Sequence, residues 1–308
     1  MNGKQLKGVL ILLITAFIWG GAFVAQTVGL ESVGVFTFSS VRTLLGALVL
    51  LPVILVRDRI TGAKMTLEER SERWKNDKKT IKNGIILGLV FCVACNFQQY
   101  ALLYSSPGKV AFITAIYIFF VPLLGLFIRK RVPLLTWICV ALGAVGLYFL
   151  CVNPAELGSI NFGDVLALIC AFAFAVHILL IEWFAQNADG LKLSCVQFAV
   201  CGVIGFVLMF IFEEPSVSAI LDAAVPILYA GVMSCGVAYT LQIIGQKYTE
   251  SAMASLVMCM ESVFAVLASA ILLSERMSAR ETVGCIVMFV AIALPNFIGV
   301  IQSKKNKL

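Results

Sequence analysis

Ten apolar segments divide the chain, each long enough to cross a lipid bilayer as an α-helix. Segments of about 18 to 23 residues match the ~30 Å hydrocarbon core at about 1.5 Å of rise per residue. Hydrophobic residues make up 61% of the chain and charged residues only 13%, unlike a soluble domain. Membrane β-strands would alternate polar and apolar residues, and these segments do not. The sequence predicts an all-α polytopic membrane protein with spans over 7–28, 36–56, 81–103, 109–128, 134–152, 163–184, 193–212, 224–246, 253–273 and 281–301.

The second half of the chain repeats a pattern of the first half. The pentapeptide Leu-Ile-Thr-Ala-Phe at 13–17 recurs as Leu-Ile-Cys-Ala-Phe at 168–172, and each copy opens a block of about five spans. Two copies of an odd number of spans must lie upside down relative to each other in a bilayer. This arrangement is typical of secondary transporters, whose site lies near the midplane between the copies. We therefore predict two inverted five-helix repeats, 1–152 and 153–308.

The distribution of Lys and Arg predicts the orientation of the chain. With the N-terminus inside, nineteen basic residues lie in inner segments and three in outer loops, as the positive-inside rule requires. Both termini are then cytoplasmic, and we expect a multi-pass protein of a bacterial plasma membrane. The net charge of +6 reflects this topology and contact with anionic lipid, so no nucleic-acid partner is expected.

The cytoplasmic segment 57–80 between the second and third spans is rich in both basic and acidic residues. We expect a solvated helix and loop here, with Trp74 at the membrane interface. A regulatory docking role is the alternative.

Several short motifs, spread over almost the whole chain, resemble the EamA family of the drug/metabolite transporter superfamily. They are WGGAFVAQ at 19–26, RTLLG at 42–46, YSS at 104–106, FIT at 112–114, VPLL at 121–124, QKYT at 246–249 and SER at 274–276. The resemblance implies a ten-helix fold with alternating access, often exporting amino acids or other small metabolites. Where the family commonly has an acidic residue closing the fourth helix, this chain has Lys130.

Glu261 is the acidic residue that the sequence places deepest in the bilayer. It lies about nine residues into the ninth span, roughly 13 Å deep. A charge near the bilayer centre costs roughly 2.5–3.5 kcal/mol, so such residues usually face the bundle interior or a wet cavity. Glu261 is therefore a candidate substrate or proton site, and a protonated glutamate bonded to a neighbouring helix is the alternative.

His177 and Arg42 are the other candidate charged groups inside the bundle. His177, the sole histidine, lies mid-depth in the sixth span, where it suits a proton step, recognition of a carboxylate or simple packing. Arg42 lies about seven residues into the second span, where it can bind an anionic substrate group or fix a helix through a carbonyl. His177 and Glu261 form a candidate pair whose contact the sequence does not decide.

Uncharged polar and aromatic residues complete the predicted cavity. Asn96, Gln98 and Gln99 in the third span and Tyr239 and Gln242 in the eighth are candidate hydrogen-bonding groups. Aligning the repeats sets Trp19 against Phe174 and Tyr117 against Glu261, and it sets Phe120 against Phe264. Trp19, Tyr117 and Phe174 are therefore candidate walls of one central cavity.

Pro122 and two cysteines have simpler interpretations. Pro122 removes a backbone hydrogen bond inside the fourth span and is a candidate gating hinge. Cys92 and Cys95 have metal-ligand spacing but lack a histidine or a second pair nearby, so we expect no metal.

The sequence predicts a secondary carrier of small metabolites, an exporter by the family resemblance. No Walker motif is present, so no ATP and no cofactor are expected, and a proton gradient, exchange or facilitation must drive transport. A flippase or carrier of a lipid-linked intermediate is the alternative, and an intramembrane enzyme is a remote one. The substrate, the coupling ion and the oligomeric state, a homodimer included, stay open.

Overall fold

The computed structural model describes residues 3–63, 65–153, 160–272 and 277–305, with side chains described except those of 268–272 and of 295 onwards. Within these residues the chain is helical and contains no β-strand, so the predicted all-α class is confirmed there. Eight helical stretches are long and apolar enough to cross a membrane, and they coincide with the first eight predicted spans.

The helices follow one another with short connections. In chain order they are α1 (Gly3–Gly29), α2 (Val35–Gly62), α3 (Leu67–Ala101), α4 (Pro107–Ala115), α5 (Tyr117–Phe127), α6 (Leu134–Cys151), α7 (Phe162–Ala185), α8 (Gly190–Phe212), α9 (Val217–Asp222), α10 (Ala224–Leu228), a π-helical segment (Tyr229–Tyr239), α11 (Thr240–Gln246), α12 (Ser251–Met258), α13 (Met260–Leu272) and α14 (Ala279–Lys305).

The ninth and tenth predicted spans are helical where the structure describes them. The ninth is divided between α12 and α13, with a shorter apolar stretch over Ser251–Leu267, and the tenth corresponds to α14. The Ser-Glu-Arg motif at 274–276 lies outside the described residues. The count of ten spans therefore stays a prediction.

Several helices begin where side chains satisfy their first free N–H groups. At α3 the Thr66 hydroxyl accepts from Glu69 N (3.3 Å) while the Glu69 carboxylate accepts from Thr66 N (2.7 Å). This capping box starts α3 fourteen residues before the predicted span, so most of the predicted 57–80 segment is helix. At α2 the cap comes from another helix, because the carboxylate of Glu213 accepts from Phe36 N and Thr37 N.

The fourth predicted span is interrupted at Ile116, between α4 and α5. Pro122, the predicted hinge, lies buried inside α5. Its ring disfavours a regular turn below it, because it crowds the carbonyl four residues earlier. The irregular turn lies six residues before the proline, where Phe119 N bonds to Ile116 O (2.9 Å).

The two ends of the helix bundle differ in their polar contacts. The basic end, which carries the start of α1, is joined by ion pairs of Arg57 with Asp189 (2.5 Å) and of Lys192 with Asp77 (2.7 Å). The opposite end is joined by Lys109 and Asp164 (2.6 Å). Between the ends, α2 packs along α8, α3 along α7 and α6 along α14.

One set of contacts occurs twice, once at each end of the bundle. At the basic end Gly8 lets α1 approach so closely that a Cβ there would lie 2.9 Å from Gly245 O. At the opposite end a Cβ on Gly163 would lie 2.8 Å from Ala101 O. Gly8 and Gly163 are 155 residues apart and their partners 144 apart, which are the spacings of the sequence repeat.

Two aromatic pairs have the same relation. The rings of Phe17 and Phe264 meet edge to face with centroids 5.5 Å apart, and those of Phe120 and Phe172 do so at 5.8 Å. Phe17 corresponds to Phe172 and Phe120 to Phe264 under the same two spacings. The repeated residues therefore make repeated contacts.

We expect Gly8→Leu and Gly163→Leu each to destabilise the protein by about 1–3 kcal/mol, because an inserted side chain separates closely packed helices. Gly62→Leu is the matched control, since a Cβ there would meet only Arg73, at 3.9 Å. Thermal unfolding of the purified protein in detergent measures the effect. A midpoint unchanged in either variant would contradict the close approach at that end.

Candidate functional site

A cavity lies inside the bundle, bounded by α1, α2, α3, α4, α5, α7, the π-helical segment and α11 to α13. It holds about 560 Å³ of space free of protein atoms, including the part open to the outside. Its lining includes Gln26 and Gln98, each three residues before the end of its helix at the opposite end of the bundle. It also includes Gln242, four residues before the end of α11 at the basic end, so the cavity extends along much of the depth of the bundle.

Eight of the eleven candidate cavity residues named from the sequence line this cavity. They are Trp19, Arg42, Gln98, Tyr117, Phe174, Tyr239, Gln242 and Glu261. They come from both halves of the sequence, as predicted for a site between two repeats.

Arg42 is a buried cation without an acidic partner among the described residues. It is only 4% exposed, and its Nη1 donates to Gln26 Oε1 (2.9 Å) while its Nη2 donates to Cys95 Sγ (3.3 Å). Its Nε has no hydrogen-bond partner in the described chain, and its guanidinium group lies 5.4 Å from the ring centroid of Phe38. Because the group also borders the cavity, an anion entering there would meet a positive charge that is not neutralised.

Glu261 brings a carboxyl group to the same cavity. It lies in the first turn of α13, two residues after the break at Cys259. The structure gives its carboxylate no hydrogen bond or ion pair with any described residue. Among the described residues, Glu261 is therefore not hydrogen-bonded to a neighbouring helix, which was the predicted alternative.

Aromatic side chains form much of the wall between these charges. The rings of Trp19 and Tyr239 lie 4.6 Å apart, and the Trp19 Nε1 has no hydrogen-bond partner among the described residues. The Tyr117 hydroxyl accepts from Cys259 Sγ (3.3 Å), which ties α5 to the break before α13. The walls can thus contact an apolar group of a ligand while leaving a donor free for it.

The π-helical segment brings two further groups to the cavity. Ser234 and Tyr239 both line it although they are five residues apart. In an α-helix they would point to different sides, whereas a π-helix bonds residues five apart and brings them onto one face. This segment was not predicted, because nothing in its apolar pattern distinguishes it from an α-helix.

His177 does not line the cavity. It is fully buried behind the wall, where its Nε2 lies 3.0 Å from Gln197 Oε1 and its ring packs within 5.6 Å of Phe91 and 6.4 Å of Tyr239. His177 and Glu261, whose contact the sequence left undecided, form no hydrogen bond with each other. Sequence depth alone could not reveal which face of α7 turns towards the cavity.

Asn96 and Gln99 are also outside the cavity lining. Asn96 donates to Cys92 O (2.8 Å) and borders a separate apolar groove with Phe36, Tyr100 and Phe162. Gln99 is fully buried, and neither amide atom has a hydrogen-bond partner among the described residues. Of the three candidates in this helix, Gln98 is the one that reaches the cavity.

Three polar lining residues were not predicted: Gln26, Thr114 and Ser234. A helical signal for Gln26 is visible in retrospect, because Trp19, Phe23 and Gln26 are spaced by four and three residues and share one face of α1. Arg42 and Gln26 are also bonded to each other, which no local pattern in the sequence predicts.

Polar contacts join the helices between the cavity and the basic end. Gln242 Nε2 donates to Gln246 Oε1 (3.1 Å), and Gln246 Nε2 donates to Ile178 O (3.0 Å). Farther out, the Glu182 carboxylate accepts from Lys130 Nζ (2.5 Å) and from Ser251 N (3.0 Å). Pro122 lines a second recess among these residues, so its predicted gating role stays a prediction.

Nine of the ten cysteines lie within helices, Cys259 lies at the break between α12 and α13, and all ten are unbridged. Cys95 contacts Arg42 and Ser39, and Cys92 contacts Asn96. Among the residues whose placement is described, no group of three or more His, Cys, Asp or Glu side chains is arranged to hold a metal ion.

Comparison with known proteins gives relatives of similar length. An uncharacterized transporter of Archaeoglobus fulgidus is 26% identical over 94% of this chain and 86% of its own length. The uncharacterized transporter YoaV of Bacillus subtilis is 20% identical over 95% of this chain and 98% of its own. A crystal structure of a protein 17% identical in sequence superposes with a TM-score of 0.74 over 95% of this chain and 97% of that one, which shows a shared fold.

The model of the EamA-like transporter family matches the chain twice, over residues 6–152 and again over 161–297. These matches cover most of the sequence and confirm the resemblance found from its motifs. The chain therefore belongs to the EamA-like transporter family, and it is a multi-pass membrane transporter.

Proposed function

We propose that this transporter exports small zwitterionic metabolites, amino acids or compounds like them, across the plasma membrane by alternating access. The observation that carries the proposal is that a guanidinium group, Arg42, and a carboxyl group, Glu261, border one cavity and neither has an ion-pair partner among the described residues. A carboxylate of the substrate would bind Arg42, and an ammonium group would bind Glu261. Both interactions are charge-assisted and therefore stronger than ordinary hydrogen bonds.

The cavity walls narrow the proposed substrate further. The aromatic rings of Trp19, Phe174 and Tyr239 offer apolar surface beside the polar pair. Small-molecule sites commonly combine such walls with a few polar groups that fix orientation. An amino acid with an apolar or aromatic side chain fits this combination.

We infer that residues 1–152 and 153–308 are two inverted copies that rock around the cavity. The paired contacts of Gly8 and Gly163 at opposite ends support this arrangement, as do the two family matches. The interruptions at Ile116 and Cys259 also fall one and two residues before the aligned pair Tyr117 and Glu261. Discontinuous helices beside a midplane site are a feature of transporters built from inverted repeats.

The orientation with both termini in the cytoplasm is supported by the basic residues gathered at the basic end. In this orientation Gln26 and Gln98 line the part of the cavity towards the outer face, and the contacts of Glu182 with Lys130 and Ser251 join helices at the inner face. Export requires these inner contacts to open so that a substrate can enter from the cytoplasm.

The alternative of a lipid-linked substrate is less well supported. The apolar groove beside Asn96 shares no lining residue with the central cavity, so a lipid tail in the groove would not extend from a headgroup in the cavity. Soluble metabolites need no such lateral opening. A thermal-shift screen with amino acids, nucleosides, sugars and amines tests the substrate class, since ligand binding stabilises the folded state.

Three compounds probe the proposed site. They are an amino acid that binds in the screen, its carboxamide, which lacks the carboxylate, and its N-acetyl derivative, which lacks the ammonium group. Arg42→Gln should weaken binding of the amino acid by roughly 10- to 100-fold, because a hydrogen bond to a charged group contributes about 1.5–3 kcal/mol. The variant should also bind the amino acid and its carboxamide equally. Titration calorimetry measures both effects, and Arg59→Gln, at an exposed position, is the control. Unchanged discrimination against the carboxamide in Arg42→Gln would remove Arg42 from the site.

Glu261→Gln tests the other half of the site and its coupling to protons. A glutamine cannot gain and lose a proton, so flux in proteoliposomes should lose its dependence on an imposed pH step. Discrimination against the N-acetyl derivative should disappear in the same variant. Glu31→Gln, at an exposed position outside the cavity, should leave both properties unchanged. A pH response retained by Glu261→Gln would exclude this residue from proton coupling.

The proposed orientation predicts which positions a membrane-impermeant maleimide can reach in intact cells. Labelling requires a cysteine-free background, so each of the ten native cysteines is first replaced. In that background Glu31→Cys should react from outside, whereas Gly3→Cys should react only after the membrane is permeabilised. Labelling of Gly3→Cys in intact cells would reverse the proposed topology.

A further inference from the structure

The third membrane helix extends well beyond the bilayer at the basic end. With 35 residues, α3 is about 52 Å long at 1.5 Å per residue, compared with a hydrocarbon core of ~30 Å. Its first four turns precede the predicted span 81–103. This extension therefore lies outside the hydrocarbon and close to the lipid headgroups.

One side of the extension is fixed to the rest of the protein. Arg73 pairs with Asp58, and Asp77 pairs with Lys192 (2.7 Å), which also pairs with Asp58 (2.8 Å). Arg70 donates to Gly62 O (3.0 Å). Asp58 and Asp77 are thus paired with basic groups of the same chain, and these ion pairs join the extension to α2 and α8.

The other side carries four lysines that have no acidic partner. Lys75, Lys78, Lys79 and Lys82 are exposed, and none forms an ion pair with a described residue. Trp74 is 63% exposed beside them, and Lys78 Nζ lies 5.1 Å from its ring centroid. We call these four lysines with Trp74 the lysine face.

The lysine face continues directly into the lipid-facing side of the same helix. Trp74, Lys78, Ile81, Ile85 and Leu89 are spaced by three or four residues and therefore lie along one stripe of α3. The last three are apolar and 42–49% exposed. Since the apolar part of the stripe must contact acyl chains, its charged continuation lies at the level of the headgroups of those lipids.

We propose that the lysine face binds the phosphate headgroups of anionic phospholipids in the membrane around the transporter. The ammonium groups provide the complementary charge, and an exposed tryptophan is suited to the boundary between headgroups and acyl chains. This site goes beyond the proposed function, because it uses no residue of the central cavity. Its ligand is a membrane lipid rather than a soluble phosphate, since the lysines lie next to the lipid-facing stripe.

The test uses the full-length protein in a neutral detergent, titrated with phosphatidylglycerol or with phosphatidylcholine. Mass spectrometry of the washed protein counts the lipid molecules that remain bound. Replacing the four lysines with Gln should weaken phosphatidylglycerol binding about tenfold, because each lysine near an anionic surface contributes to attraction. Replacing them with Arg should preserve it. A control variant removes four exposed charges elsewhere at the basic end, by Lys4→Gln, Arg59→Gln, Arg129→Gln and Arg131→Gln, and should bind as the wild type does.

A second readout does not depend on the folding of the Gln variant. The fluorescence of Trp74 is the difference between the emission of the wild type and that of Trp74→Phe. Phosphatidylglycerol with brominated acyl chains should quench this fluorescence, and brominated phosphatidylcholine should quench it much less. Equal quenching by the two lipids would overturn the proposal, as would equal binding of phosphatidylglycerol by the Gln and control variants. Displacement of the lipid by glycerol phosphate at the same phosphate concentration would also overturn it, in favour of a soluble anion.

Discussion

Hydrocarbon offers no hydrogen bonds, so every polar group at membrane depth needs a partner from the protein or a position beside a wet cavity. Most buried polar side chains here meet the first condition, as Gln246 does through Ile178 O. Arg42 and Glu261 instead meet the second, because each borders the central cavity without an oppositely charged partner among the described residues. In the proposed function, the position of these two groups determines where the ligand binds and which charged groups it carries.

Much of the fold follows from the sequence because the driving force is periodic and local. Apolar length predicts the first eight spans, and the repeat spacing predicts which residues make equivalent contacts at the two ends. The depth of Glu261 within an apolar helix was enough to identify it as a cavity residue. Trp19 was identified from the alignment of the repeats, which pairs it with Phe174 in the corresponding helix.

Other features depend on contacts between distant parts of the chain, and these leave no local pattern. His177 and Gln99 lie at the expected depth but face away from the cavity, since the rotation of a uniformly apolar helix is set by its neighbours. The π-helical segment that brings both Ser234 and Tyr239 to the cavity likewise depends on packing. The start of α2 depends on Glu213, which is more than 170 residues away in sequence.

The contact between Glu182 and the start of α12 has a consequence for the energetics of opening. A carboxylate from one helix there satisfies the N–H of Ser251 at the start of another, so separating the two helices breaks that bond. Water that enters the widening gap can take its place, and an intramolecular hydrogen bond exchanged for hydration changes the free energy by only about 0.5–1.5 kcal/mol. In the proposed transport cycle this hydrogen bond therefore adds little to the free energy needed to open the end.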